Sequence, residues 1–179
     1  MSDDKVQTRL QTPEGLLAFQ DYFVRRRCEP AVTGMLFEGA EAAVPSPGFA
    51  ALMRAPELRG IIICPSNPFL SIEPILAVPG VRGWLQNRAV ACIAVSPLIG
   101  GKAVKGPAAK MMAELGLQAT PQAIALQYDG LIDGLVIDHA DKAQAFGRTH
   151  ITDTLMRNVA GQERLAREVL DFLSQRAGQ

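Results

Sequence analysis

The chain has 179 residues, 48% hydrophobic and 20% charged, and its 18 basic and 18 acidic side chains leave a formal net charge of zero. One domain with a real core is the default at this length, and the neutral balance gives no ground for bulk electrostatic binding to nucleic acid or membrane. No apolar run approaches the roughly 18 residues of a membrane span, Met1-Ser2-Asp3-Asp4-Lys5 does not read as a signal peptide, and Cys28, Cys64 and Cys92 lack zinc spacing and read as reduced core residues of a cytoplasmic protein.

Residues 6–12 alternate and predict an edge strand. Thr12-Pro13-Glu14 has the form of an N-cap followed by proline at the first helical position. It predicts a helix over residues 13–27, with Leu16, Leu17, Phe19, Phe23 and Val24 on the apolar face. Arg25, Arg26 and Arg27 close it, where cations suit the helix dipole. Neighbours on a helix differ by about 100°, so the three cannot share one direction. Either one or two of them face a ligand, or the run is a solvated helix end. A strand is predicted over 31–37, then a Gly/Ala/Pro-rich connection. Ser46-Pro47 opens a short helix to about residue 53.

From Gly60 the pattern becomes regular. Ile61 to Cys64 is an unbroken apolar run, suited to a strand buried on both faces of a parallel sheet. Pro65-Ser66-Asn67-Pro68 stops it, and Ser71 is placed to cap a helical segment around 72–78. Open α/β sheets bind ligands outside the carboxyl ends of their strands, and a helix N-terminus there offers N–H groups to an anion. Half of the candidate site is placed here. Pro79-Gly80 interrupts, and helix resumes over 81–86. Residues 89–95 predict a second buried strand, 107–115 a helix stopped by Gly116, and Thr120-Pro121 the start of another reaching Tyr128. A third strand is predicted over 134–138, a short helix over 141–146, a brief strand over 150–152 and an amphipathic closing helix over 159–174. Strands alternating with helices point to an α/β fold with a parallel sheet and right-handed crossovers.

The second half of the candidate site is Ser96-Pro-Leu-Ile-Gly-Gly-Lys-Ala-Val-Lys-Gly-Pro-Ala-Ala-Lys110. Gly100, Gly101 and Gly106 permit close backbone approach, Lys102 and Lys105 bring positive charge, and Pro107 starts the next helix. This is either a phosphate cradle or an ordinary flexible loop; it is not a Walker A loop. Asp138 ends a strand, where a ligand contact belongs. Asp129, Asp133, Asp141 and Asp153 read as turn or cap residues. His139 and His150 show no metal pattern, and a Ser66, His139, Asp153 triad lacks a nucleophile elbow. Tyr22, Phe23 and Trp84 either stack on a flat ring or belong to the core.

Ser66-Asn-Pro-Phe-Leu-Ser-Ile-Glu-Pro-Ile75 and Ala94-Val-Ser-Pro-Leu-Ile-Gly-Gly-Lys-Ala-Val-Lys-Gly-Pro107 resemble the 2-phospho-L-lactate transferase family of deazaflavin coenzyme (factor 420) biosynthesis. Phe19-Gln-Asp-Tyr-Phe-Val-Arg-Arg-Arg-Cys-Glu-Pro30 and Asp153-Thr-Leu-Met156 resemble the same family, so the likeness spans nearly the whole chain. It implies a Rossmann-like α/β fold, with residues 1–58 as an inserted α+β segment and 59–179 as the Rossmann-like C-terminal half. It implies transfer of a phospho-acid from a guanosine diphosphate diester to the ribityl hydroxyl of a deazaflavin precursor, with release of GMP and help from magnesium. The acid derives from lactate, phosphoenolpyruvate or phosphoglycerate. By motif, Ser66, Asn67 and Ser71 hold the nucleotide phosphates. Ser96, Gly101, Lys105 and Gly106 line a second phosphate or guanosine loop, and Tyr22, Phe23 and Arg26 lie on the deazaflavin side. The family also implies a homodimer. Its members are longer and open with a Gly-rich strand–loop–helix carrying the metal ligands, so this chain corresponds to their C-terminal portion. The competing resemblance is to a non-catalytic, nucleotide-sugar-binding regulator of carbon metabolism with a similar Ser-x-x-x-Ser-Ile-x-Pro loop.

Overall fold

A computed structural model describes residues 1–176 and builds them on two main sheets. The first is antiparallel, in the order β2-β1-β3, from β1 (Gln7–Thr12), β2 (Gly15–Ala18) and β3 (Gly34–Glu38). β1 is thus the centre of its sheet, not the predicted edge. The helix predicted from residue 13 does not form. Thr12 Oγ1 accepts from Glu14 N at 3.2 Å and donates to Gly15 O at 2.8 Å, so the hydroxyl closes a turn instead of capping a helix. Gly15 then takes φ 111°, which no helix holds, and the chain doubles back until Arg9 faces Ala18. Proline serves such a turn as readily as a first helical position. What remains of the helix is one π turn, Asp21–Arg25. The strand predicted from residue 31 starts at Gly34, because Val32 N–H leaves the sheet for the Glu114 carboxylate at 3.1 Å.

The second sheet is parallel, in the order β4-β5-β8-β9: β4 (Ile61–Ile63), β5 (Cys92–Val95), β8 (Gly134–Asp138) and β9 (Thr149–Thr152). Between β5 and β8 the chain makes a small hairpin, β6 (Leu98–Ile99) with β7 (Lys102–Ala103). Alternate side chains of the central strands enter opposite layers. Cys92, Ala94, Leu135 and Ile137 join a cluster with Leu76, Val81, Met111 and Ile124. That cluster is supplied by α2 (Glu73–Leu76), α3 (Val81–Gln86), α4 (Ala108–Glu114) and α5 (Pro121–Gln127), which follow α1 (Pro47–Leu52) in the chain. It also takes in Leu10, Tyr22 and Val32 from the first 58 residues. Ile93, Val95 and Val136 pack instead against Leu165, Val169 and Phe172 of α6 (Val159–Arg176). α6 seats closely because Gly134 has no side chain: a Cβ there would stand 2.7 Å from the Phe172 ring. The result is helix, sheet, helix, as the alternating pattern predicts.

β4 departs from expectation. It is an edge strand, with Ile62 39% exposed and Cys64 just beyond it exposed. Of the three cysteines predicted for the core only Cys92 is buried; Cys28 is half-buried. Burial pushes the Cys92 thiol up to about 12. The short helix predicted over 141–146 is a 3-10 segment, His139–Gln144. Trp84 meets Phe49 edge-on at 6.1 Å, a packing role. No helix among the described residues is long and apolar enough to cross a membrane.

Candidate functional site

The loops that leave β4, β5 and β9 at their carboxyl ends frame a cavity of ≈ 230 Å³. This is where open parallel sheets place their ligands. Ser66 and Asn67 come from the first loop, Ser96 and Lys105 from the second, and Thr154, Leu155 and Met156 from the third.

On the β4 side, Asn67 rather than Ser71 caps the helical segment. Its Oδ1 accepts from Phe69 N at 2.9 Å and Leu70 N at 3.1 Å, with Pro68 at the first helical position. Proline pre-sets the helix earlier than the serine signal suggests. Ser71 is left exposed inside a π turn, Pro68–Ile72, outside the cavity lining. The Asn67 amide nitrogen reaches Met111 Sδ at 3.6 Å, so this side chain shapes the wall.

On the β5 side, Ser96 is buried. Its N–H donates to Val136 O at 2.9 Å, and its Oγ accepts from Leu98 N at 3.2 Å, a bond that does not use the hydroxyl proton. Gly100 and Gly101, at φ 59° and 70°, make the hairpin turn between β6 and β7. Their N–H groups both donate to the buried Asp141 carboxylate at 3.0 Å. Gly101 is therefore committed to the hairpin and does not line the cavity. Lys105 stands exposed on the rim and makes no ion pair with a described residue.

Asp138 does not reach a ligand position. It is buried, its Oδ1 accepts from Ala140 N at 2.9 Å, and its Oδ2 accepts from Thr154 N at 2.9 Å and Thr154 Oγ1 at 3.1 Å. Burial works to raise this carboxyl, but the three donors outweigh it and hold it below the ordinary carboxylate range. Asp138 and Asp141 are thus positioning residues, one under the Thr154 wall and one under the hairpin that leads to Lys105. The other acids do turn work. Asp133 accepts from Arg88 Nη2 at 2.6 Å and Cys92 N at 2.7 Å. Asp153 accepts from Leu155 N at 3.0 Å and pairs with Arg164 at 3.5 Å, so it serves no triad.

A second cavity, of ≈ 620 Å³, lies across the Lys105–Gly106 backbone, lined by Phe23, Arg27, Cys28, Glu29, Gly106, Pro107 and Lys110. Phe23 lines it, stacked on Phe19 at 5.4 Å between ring centres. Tyr22 is beneath it, wholly buried, with Lys110 Nζ 5.9 Å from its ring centre and no hydrogen-bond partner for its hydroxyl. Burial first, and then Cys28 and Glu114, push this phenol well above its ordinary value. Arg26 turns away to Glu14 at 2.6 Å and Asp21 at 3.8 Å; Arg27 takes its place on the lining. Arg27 and Cys28 hold φ 48° and 60°, two successive left-handed residues without a glycine. Without the expected helix, helical spacing could not tell the three arginines apart.

Among the described residues no group of three or more His, Cys, Asp and Glu side chains could hold a metal ion, so they offer magnesium no ligand set.

The family model described as 2-phospho-L-lactate transferase CofD matches residues 1–171. The chain is 37% identical over 176 residues to the 2-phospho-L-lactate transferase of Methanosarcina mazei, covering 95% of this chain and 57% of that protein. It is 38% identical over 184 residues to that of Methanopyrus kandleri, covering 99% and 58%. It is 37% identical over 186 residues to the phosphoenolpyruvate transferase of Kitasatospora aureofaciens, covering 98% and 57%. The chain thus spans a little over half the length of these relatives. A crystal structure of a UPF0052-family protein from Bacillus halodurans shares the fold, with a TM-score of 0.60 at 13% identity over 94% of this chain and 59% of that one. The family match runs through both sheets and all three cavity loops, and on it the chain belongs to the 2-phospho-L-lactate transferase CofD family.

Proposed function

We propose that the chain carries the donor-phosphate and acceptor surfaces of a transferase that moves a phospho-acid from a guanosine diphosphate diester to the ribityl hydroxyl of an 8-hydroxy-5-deazaflavin precursor. The acid is of the phospholactate or phosphoenolpyruvate type, the two kinds named among the relatives. The observation that carries the reading is the cavity framed by three strand-end loops, with Lys105 on its rim and in no ion pair with a described residue. Phosphoryl-type transfer needs positioning and charge neutralisation more than covalent chemistry from the protein. The Lys105 ammonium neutralises the donor's diphosphate, and the Ser66 and Ser96 hydroxyls donate to its oxygens. The acceptor's ring lies against Phe23 in the larger cavity. Its ribityl chain crosses the turn at Gly106, which lines the larger cavity and carries no side chain. The acceptor oxygen bonds to the phosphorus that bears the acid. The bond from that phosphorus to the bridging oxygen breaks, GMP leaves with the oxygen and its electron pair, and the proton of the acceptor hydroxyl passes to the leaving phosphate or to water. Asn67, Gly101, Asp138 and Asp141 hold the loops.

Calorimetric titration of the chain with GDP tests this, with UDP-N-acetylglucosamine as the control for a nucleotide-sugar regulator. Saturable GDP binding is expected, weakened about tenfold in Lys105→Ala, or about 1.4 kcal/mol, with an unchanged circular dichroism spectrum. A folded chain that binds no GDP, prefers the UDP-sugar, or binds GDP equally well without Lys105 refutes the reading.

A further inference from the structure

The two site cavities share one helix. Lys105 and Ala108 line the smaller, and Gly106, Pro107 and Lys110 the larger. α4 is anchored in the core by Ala108, Met111 and Met112. Lys110 pairs with Glu114 one turn on. A partly exposed pair at that spacing adds little by itself. Here both partners reach outward as well. Lys110 Nζ donates to Pro30 O at 3.1 Å, and the second Glu114 oxygen accepts from Val32 N at 3.1 Å. Both are charge-assisted bonds to backbone, and they join residues 80 and 82 positions apart in the chain.

Pro30 and Val32 follow the turn that walls the larger cavity. In that turn Arg27 and Cys28 hold φ 48° and 60°. Cys28 N donates to Tyr22 O at 2.9 Å, and Glu29 N to Arg26 O at 2.8 Å. Successive left-handed residues without glycine persist only where their surroundings over-determine them. Upstream, the buried Tyr22 supplies that constraint, set in the core with Leu10 and Val32. Downstream, the α4 pair supplies it. The Glu114 side chain is 18% exposed and does not line the larger cavity, so it acts on that space only through the backbone it holds.

We propose that Glu114 is a positioning residue for the acceptor. Through Val32 and Lys110 it holds the strained Arg27–Glu29 turn against α4, and so fixes that wall of the larger cavity. The wall and the loop bearing Lys105 are thereby carried on one helix. This inference rests on the acceptor reading of the cavity, and its test separates the two.

The test compares the 179-residue chain with Glu114→Ala. Residue-resolved amide exchange comes first, without ligand; titrations with the 8-hydroxy-5-deazaflavin precursor, followed by its fluorescence, and with GDP come second. The Cys28 and Glu29 amides bond to groups other than Glu114, yet in the variant both are expected to exchange about tenfold faster or more. The Cys92 and Ser96 amides, bonded to Asp133 and Val136, should stay protected and show that the fold is intact. The variant should bind the acceptor about tenfold more weakly and GDP within about twofold of the original. Unchanged exchange at Cys28 and Glu29, equal acceptor affinity, or an equal loss for both ligands overturns the positioning role. An unsubstituted chain that binds no acceptor refutes the reading of the cavity, and this proposal with it. If Cys92 and Ser96 lose protection in Glu114→Ala, then Glu114→Gln decides. It keeps an oxygen for the Val32 N–H but no charge for Lys110, so about threefold is expected in both readouts, and no change in either overturns the proposal.

Discussion

The two walls of the smaller cavity are built differently. The inner wall stands on β5 and β8, whose residues are all buried, and its polar groups are tied down: Ser96 to Val136 and Leu98, Asp138 to Ala140 and Thr154, Asp141 to Gly100 and Gly101. The outer wall hangs from β4, three residues long and paired on one side only. There, among the described residues, the Asn67 side chain fixes the loop through its cap. Serines occur on both walls, so residue type does not make the difference. What does is the number of strands and buried acceptors behind each loop. The inner wall is tied down by many bonds, and the outer wall is held by few.

The largest effect expected is at the inner wall. Asp138→Ala strands the buried N–H and hydroxyl of Thr154 and removes the partner of the part-buried Ala140 N–H, and hydrogen bonds to a charged acceptor are worth about 1.5–3 kcal/mol. A loss of about 3 kcal/mol is expected, a drop in Tm of roughly 10 °C for a chain of this size, read by calorimetry. The loss should depend on pH. Because the folded-state pKa of Asp138 is depressed, its contribution is full above the unfolded carboxyl value, about 3.9, and fades as pH falls through the folded one. The Tm gap between the two proteins must therefore narrow in acid; a constant gap would mean the charge is not the cause. The matching change on the outer wall is smaller. Asn67→Ala removes a cap worth about 1 kcal/mol, and equal losses at Asn67 and Asp138 would dissolve the contrast. Smallest is Ile62→Lys at the bare edge, expected within about 0.5 kcal/mol in chemical denaturation. The thiols report the same division: an aromatic disulfide reagent should modify exposed Cys64 in the native protein, and Cys92, buried with its pKa near 12, only on unfolding.

These contrasts follow how legible each part is in the sequence. β5 and β8 can be read directly, because unbroken apolar runs between turn signals have few other uses. The Thr120 cap on α5 is equally plain, and its Oγ1 accepts from Ala123 N at 3.2 Å. Thr12-Pro13 carries the same signal into a hairpin, since the motif specifies a turn of chain and only Gly15 beyond it decides which kind. Ile61-Ile62-Ile63 shows that β4 suits a covered sheet, but not whether the cover is present. In the site, Ser66, Ser96 and Lys105 come together as their loops predict. Asp141 clamping Gly100 and Gly101 is a pairing between distant segments, for which no local pattern exists. The lining by Thr154, Leu155 and Met156 had a signal, the singled-out Asp153–Met156 stretch, but nothing in its residue types marked it as a wall.

The left-handed pair at Arg27 and Cys28 bears on how this chain can change. Non-glycine residues held in that region cost of order 1–3 kcal/mol each, and glycine at either position relieves the cost. A laboratory selection for heat resistance would be drawn to these two codons first. It would gain melting temperature by stripping the larger cavity of two of its side chains, and its fittest survivors would be hardier proteins with a blanker pocket.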